Sequence, residues 1–202
     1  MSNYLRGVLT RVMTPLARLL LRMGVSADAV TITGTAVVVG AALWLYPTGH
    51  LLAGTLVIAA FVLTDSLDGT MARMAGRSSS WGAFLDSTLD RFGDAAILAG
   101  LVLWFTGGGD DRLTAVLALA CLVLGSVIPY ARARAEGLGM TAAVGIAERG
   151  VRLFAVVLAT LLVGSGLPRA VLTVTLALLA VASAVTIVQR MGTVRRQSTV
   201  TA

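Results

Sequence analysis

Six stretches of the chain are apolar for about the length needed to cross a bilayer: residues 29–47, 51–73, 82–106, 113–135, 146–165 and 168–190. A helical span needs roughly 20 such residues. The breaks between them, Pro47–His50, Gly76–Ser80, Gly107–Asp111, Gly137–Gly145 and Gly164–Pro168, are short and rich in Gly, Ser, Pro or Asp, as tight turns are. Residues 2–23 follow a different pattern. Arg11, Arg18 and Arg22 fall on one side of a helix, with Leu5, Leu9, Val12, Leu16, Leu19, Leu20 and Met23 on the other. That pattern predicts an amphipathic helix lying in the membrane interface, bent at Pro15. The expected fold is an all-α integral membrane protein of one domain over residues 1–202. Its parts are the interfacial helix (2–23), a six-span bundle (28–192) and a cytoplasmic tail (193–202). No internal repeat and no linker divides it.

Composition sharpens this picture. The chain is 57 % hydrophobic and 13 % charged, against about 45–50 % and about 25 % in soluble domains, which excludes a water-soluble globule, a disordered chain and a disulfide scaffold. The net charge of +6 comes from sixteen basic residues, all arginine. With both termini inside, only Arg112 and Arg169 fall on the outer side, so the positive-inside rule places both termini and the arginine-rich turns in the cytoplasm. The basic balance is therefore assigned to a membrane surface and not to nucleic acid, and the expected location is the plasma membrane. Cys121 is the only cysteine and cannot form a disulfide within the chain. Trp44, Trp81 and Trp104, near span ends, read as interfacial anchors, and His50 in an outer turn suggests no chemistry.

Carboxylates inside spans are costly and usually functional. The second span ends with Asp65, Asp68, Gly69 and Arg73, and the third opens with Asp86, Asp90 and Asp94. Spacings of three and four stack side chains on one helix face, so Asp65 and Asp68 can face Asp86 and Asp90 across two adjacent antiparallel helices. Four facing carboxylates call for a cation, and hard oxygen ligands select Mg²⁺, Mn²⁺ or Ca²⁺. Four exceed what one Mg²⁺ usually takes from protein, which suggests two ions suited to phosphoryl chemistry. Gly69 allows close approach of a ligand, and Arg73 can pair with phosphate. An ion-pair network or a proton relay, as in a cation transporter, would use the same aspartates.

Read together, Asp65-x-x-Asp68-Gly69-x-x-Ala72-Arg73, eight residues, then Gly82-x-x-x-Asp86-x-x-x-Asp90 resembles in full the signature of the CDP-alcohol phosphotransferase family. The six spans and the surface helix resemble that family too. The resemblance implies transfer of a phosphatidyl group from CDP-diacylglycerol to an alcohol with release of CMP. It implies that Asp65, Asp68 and Asp86 hold two Mg²⁺ ions (Mn²⁺ as an alternative), that Asp90 completes the second, and that Asp90 is the general base. It further implies that CDP-diacylglycerol lies against Asp28, Ala29, Val30, Thr31, Gly69, Arg73 and Ser79, and that the protein is a homodimer. From the residues alone, Asp28 and Thr31 could simply cap a helix, and Asp94 reads as a partner for an arginine.

The alcohol must be read elsewhere. The fourth span ends Tyr130-Ala131-Arg132-Ala133-Arg134-Ala135-Glu136, the fifth opens Ile146-Ala147-Glu148-Arg149-Gly150-Val151-Arg152, and the sixth ends Gln189-Arg190. Arginines converging there suit an acceptor that already carries a phosphate, although positive-inside anchoring would also place them. The strings around them resemble the actinobacterial branch of the family that uses inositol phosphate, which implies Arg132, Arg152 and Arg190 as its ligands. The first is commonly Lys in that branch. Glycerol 3-phosphate is the rival acceptor within the same chemistry.

Overall fold

The computed structural model describes residues 14–74 and 79–200, the side chains of 63–69, 72, 73 and 200 excepted. Among the described residues every regular element is a helix: α1 over 14–22, α2 Ala27–Leu45, α3 Leu51–Met74, α4 Ser80–Thr106, α5 Arg112–Glu136, α6 Arg149–Gly164 and α7 Ala170–Val200. Residues 2–13 of the expected interfacial helix lie outside the described residues, and Pro15 sits in the first turn of α1. The part described packs Ala17 against Met71 of α3, with Leu20, Leu21, Ala27 and Val30 around them. It leaves Leu16, Leu19 and Met23 exposed.

By length and composition α2, α5 and α7 are apolar enough to cross a membrane, which marks a membrane protein. The first half of α4 carries Asp86, Asp90, Arg91 and Asp94, and α6 has only 16 residues. The outer faces agree with a lipid environment: Leu119 and Val123 on α5, Phe154 and Leu158 on α6, and Leu178 and Val181 on α7 are all exposed. Small side chains and hydroxyls such as Ala42, Ala118, Thr55 and Thr160 are buried instead. Helices in lipid associate through small residues and hydroxyls in this way.

Helices α2 to α7 pack as a ring, each chiefly against two neighbours, in the spatial order α2, α3, α6, α7, α5, α4 and back to α2. Among the described residues α2 packs against both of the acidic helices, α3 and α4. Gly34 of α2 faces Phe61 of α3, while Val38 lies against Gly93 of α4. The approach is closest at Gly100, where an added Cβ would meet the Ala42 carbonyl oxygen at 2.2 Å. Ala42, Ile97, Leu101 and Phe105 are buried around this contact, and Tyr46 hydrogen-bonds Thr55 of α3 at 2.9 Å.

Two helix ends differ from the hydropathy pattern. α6 begins at Arg149, since the Ile146 and Ala147 N–H groups donate to the Thr186 hydroxyl at 3.2 and 3.0 Å and leave no turn to extend. α7 continues ten residues past Arg190 to Val200, because loss of apolarity ends a span without ending a helix. The 193–202 segment is thus helical as far as it is described, and Gln197 within it is bonded to Thr141. At the opposite end of the bundle Asp111 caps α5. It accepts from the Thr114 hydroxyl at 2.6 Å and from the Thr114 N–H at 3.0 Å, and these bonds hold its carboxyl below the usual range.

Gly100→Ala should therefore strain the α2–α4 seam by the ~1–3 kcal/mol typical of overpacking and lower the thermal midpoint in detergent. Gly40→Ala, where an added Cβ meets nothing within 4 Å, serves as the control. Equal midpoints for the two variants would contradict the packing described.

Candidate active site

Asp65, Asp68, Gly69 and Arg73 occupy the last turns of α3, and their side chains lie outside the described residues. The facing set on α4 is resolved. Ser79 caps this helix, its hydroxyl accepting from the Gly82 N–H at 3.0 Å, so a residue implied for nucleotide contact also fixes the helix start. One turn later Asp86 is exposed, and the next two carboxylates of the stripe turn inward. Arg149 at the start of α6 meets both of these: Nη2 lies 2.9 Å from Asp90 Oδ1, and Nε lies 3.2 Å from Asp94 Oδ2. Arg91 reaches the second oxygen of Asp90 at 3.5 Å. The arginine partner expected for Asp94 is therefore Arg149, which also holds Asp90.

Among the described side chains no three carboxylate, imidazole or thiol groups converge. The donors on α4 are all carboxylate oxygens, which suits a hard divalent cation. A guanidinium already drawn to Asp90 and Asp94 shows that this face of α4 demands positive charge. The described α4 carboxylates supply the donor type such a cation takes, and Asp65 and Asp68 would complete the set.

The turn Asp28-Ala29-Val30-Thr31 forms the first turn of α2. Its cap is Ser26, whose hydroxyl accepts from the Ala29 N–H at 3.1 Å, so Asp28 does not cap this helix. Instead Asp28 Oδ2 accepts from the Trp81 indole N–H at 3.2 Å, which ties α2 to the start of α4 and gives Trp81 a partner beyond interfacial anchoring. Thr31 donates to the Ala27 carbonyl at 3.1 Å. Val30 and Thr31 form one wall of a narrow cleft whose other wall is Asp90, Gly93, Asp94 and Arg149. The implied nucleotide turn and the α4 carboxylates thus share one space.

Arg132, Arg152 and Arg190 come together in the wall of a second, larger cavity of about 480 Å³, within the usual size for a small-molecule site. The three are held differently. Arg152 Nη1 donates to the Ala147 carbonyl at 2.6 Å. Arg190 is buried, with Nε on the Val144 carbonyl at 2.9 Å and Nη1 on the Ile128 carbonyl. Arg132 is exposed and pairs with Glu136 at 2.8 Å. A guanidinium has five N–H donors, so backbone bonds can orient Arg152 and Arg190 and leave donors for a phosphate. Arg91, Glu148 and Arg149 line the same cavity and were not marked as site residues by spacing. The available signal was Arg149 one turn before Arg152. Arg149 belongs to both spaces, so the acidic face and the basic cavity meet at this side chain.

The family model for CDP-alcohol phosphatidyltransferases matches residues 24–188. The chain is 47 % identical over 204 residues to the phosphatidylinositol phosphate synthase of Streptomyces avermitilis, spanning 98 % of this chain and 84 % of that protein. It is 45 % identical over 203 residues to the one from Cutibacterium acnes, spanning 97 % and 98 %. Among solved structures it is similar to Mycobacterium tuberculosis phosphatidylinositol phosphate synthase with CDP-DAG bound, with a TM-score of 0.87 at 44 % identity over 91 % of this chain and 94 % of that one. The same enzyme in complex with manganese and citrate matches with a TM-score of 0.86 at 44 % identity, over 90 % and 88 %.

If Arg149 compensates both aspartates, Arg149→Gln and Asp94→Asn should each destabilise the protein by an amount between the ~0–1 kcal/mol of an exposed pair and the ~3–5 kcal/mol of a broken buried one. The double variant should lose less than the sum. Thermal midpoints of the four proteins in detergent provide the cycle, and strict additivity would remove the pair from the account.

Proposed function

The chain belongs to the CDP-alcohol phosphatidyltransferase family, and we propose that it moves the phosphatidyl group of CDP-diacylglycerol onto inositol phosphate, releasing CMP. The observation that carries a phosphorylated acceptor is the cavity lined by Arg132, Arg152 and Arg190, which joins the α4 carboxylates through Arg149; glycerol 3-phosphate would suit the same charge, and the relatives favour inositol phosphate. Relatives named phosphatidylinositol phosphate synthase, at 43–47 % identity, support the same reading. Family membership sets the cation-transporter alternative aside.

Each residue then has a task. Arg152 and Arg190, oriented by the Ala147, Val144 and Ile128 carbonyls, hold the acceptor phosphate, with Arg132 at the rim. This leaves a hydroxyl of the same molecule toward Asp90. Asp90 accepts the hydroxyl proton as the oxygen bonds to the β-phosphorus of CDP-diacylglycerol. The phosphoanhydride bond to the CMP phosphate breaks, and CMP leaves with the bonding pair. Asp28, Ala29, Val30, Thr31, Gly69, Arg73 and Ser79 bind the cytidine diphosphate portion, Gly69 by close backbone approach and Arg73 by charge. Asp65, Asp68 and Asp86, with Asp90, would hold two Mg²⁺ ions, which when bound offset the pyrophosphate charge and make an acceptor hydroxyl more acidic.

The same reading places six spans, α2 to α7, in the plasma membrane, with both termini and the site on the cytoplasmic side. The distribution of arginines supports that orientation. The N-terminal helix lies at the interface, and the enzyme works as a homodimer.

Binding and chemistry should separate in kinetics. Arg152→Ala is expected to raise the KM for inositol phosphate about 10- to 150-fold, the loss of a charge-assisted hydrogen bond, and to leave the KM for CDP-diacylglycerol nearly unchanged. Asp90→Asn should lower kcat by about 100-fold or more with both KM values kept. Steady-state curves in each substrate check both. An Arg152→Ala effect confined to CDP-diacylglycerol would misplace the acceptor pocket.

A further inference from the structure

Residues 137–148 connect α5 to α6 with neither helix nor strand, and part of this segment forms a wall of the 480 Å³ cavity. Irregular backbone beside a cavity has to find hydrogen-bond partners for its N–H and C=O groups. Over residues 141–147 they come chiefly from one stripe of α7. Thr186, Arg190 and Gln197 follow one another at spacings of four and seven, which places them on the same helix face.

The fit is specific at each point. The Thr186 hydroxyl donates to the Ala182 carbonyl at 2.8 Å and accepts from the N–H groups of Ile146 and Ala147, which uses its full capacity of one donor and two acceptors. Gly145, at φ +133, lies so close that an added Cβ would meet Thr186 Cγ2 at 2.2 Å. Arg190 takes the Val144 carbonyl. The carboxamide of Gln197 pairs with Thr141 as a neighbouring strand would: Oε1 accepts from the Thr141 N–H at 2.9 Å and Nε2 donates to the Thr141 carbonyl at 2.7 Å.

Carbonyls of this segment in turn orient two of the cavity arginines, since Ala147 receives Arg152 and Val144 receives Arg190. We propose that Gln197 and Thr186 are positioning residues for the phosphorylated acceptor. They clamp residues 141–147 so that Arg152 and Arg190 present their free N–H groups in a fixed direction. Gln197 stands outside the cavity lining, and Thr186 lines it but spends its hydroxyl on Ala182, Ile146 and Ala147; the positioning role rests on the acceptor reading given above.

The test uses the full-length protein in vesicles containing CDP-diacylglycerol, with inositol phosphate as acceptor, and compares wild type with Gln197→Ala, Gln197→Glu and Thr186→Val. Gln197→Ala removes both bonds to the Thr141 backbone. It should raise the acceptor KM about tenfold, the scale of one to two neutral hydrogen bonds, with kcat and the KM for CDP-diacylglycerol within about twofold of wild type. Gln197→Glu keeps the acceptor for the Thr141 N–H and loses the donor, so its effect should fall between. Amide hydrogen exchange should quicken at Thr141 in Gln197→Ala, and at Ile146 and Ala147 in Thr186→Val. Unchanged exchange would overturn the clamp. Faster exchange with an unchanged acceptor KM, or a fall in kcat shared by both substrates, would overturn the positioning role. Wild-type protein that does not turn over inositol phosphate would overturn the acceptor reading instead, and exchange at Thr141 would still report the clamp.

Discussion

A carboxylate placed in a membrane helix has to be met by positive charge, and one guanidinium meets two of them: Arg149 lies 2.9 Å from Asp90 and 3.2 Å from Asp94. Much of the site follows from this demand. The ring of helices brings the start of α6 within side-chain reach of α4, so the compensating arginine arrives from a segment 55 residues away in sequence. The same side chain then forms part of the wall of the basic cavity. A place for a phosphate and a place for a proton acceptor thereby lie side by side, with a single residue common to both.

The ring has a second consequence. Because α2 packs against both α3 and α4, its first turn enters the space beside the α4 carboxylates, and Val30 and Thr31 face Asp90 and Asp94 across a narrow cleft. Close contacts at Gly100 and at Gly164, where an added Cβ would lie 2.6 Å from the Leu52 backbone nitrogen, set how tightly this assembly closes. Glycines at such seams act on the site indirectly, by fixing where the helices that carry it can stand.

What could be read before the structure was local. The stripe Asp86, Asp90, Asp94 is legible because a helix repeats every three to four residues, and the helices themselves are legible because apolar runs of span length have few other uses. Arg132, Arg152 and Arg190 were legible by resemblance, and the cavity gathers all three. Other features depend on contacts remote in sequence. Capping was one alternative for Asp28, but Ser26 occupies that place, and Trp81, 53 residues on, is a partner of Asp28. Gln197 looked like part of a solvated tail because its partner, Thr141, is 56 residues away. Hydropathy also stopped α7 at Arg190, since it reports where lipid ends and carries no information on where helical hydrogen bonding ends.

The central claim is that the chemistry belongs to the acidic face of α4 and the choice of alcohol to the arginine cavity beside it. The most direct measurement is an acceptor panel with purified protein, radiolabelled CDP-diacylglycerol and Mg²⁺, comparing inositol phosphate, unphosphorylated inositol and glycerol 3-phosphate by product and by CMP released. The account predicts product from inositol phosphate, with little from inositol, which lacks the phosphate the arginines hold, and little from glycerol 3-phosphate. Product from glycerol 3-phosphate and none from inositol phosphate would contradict it.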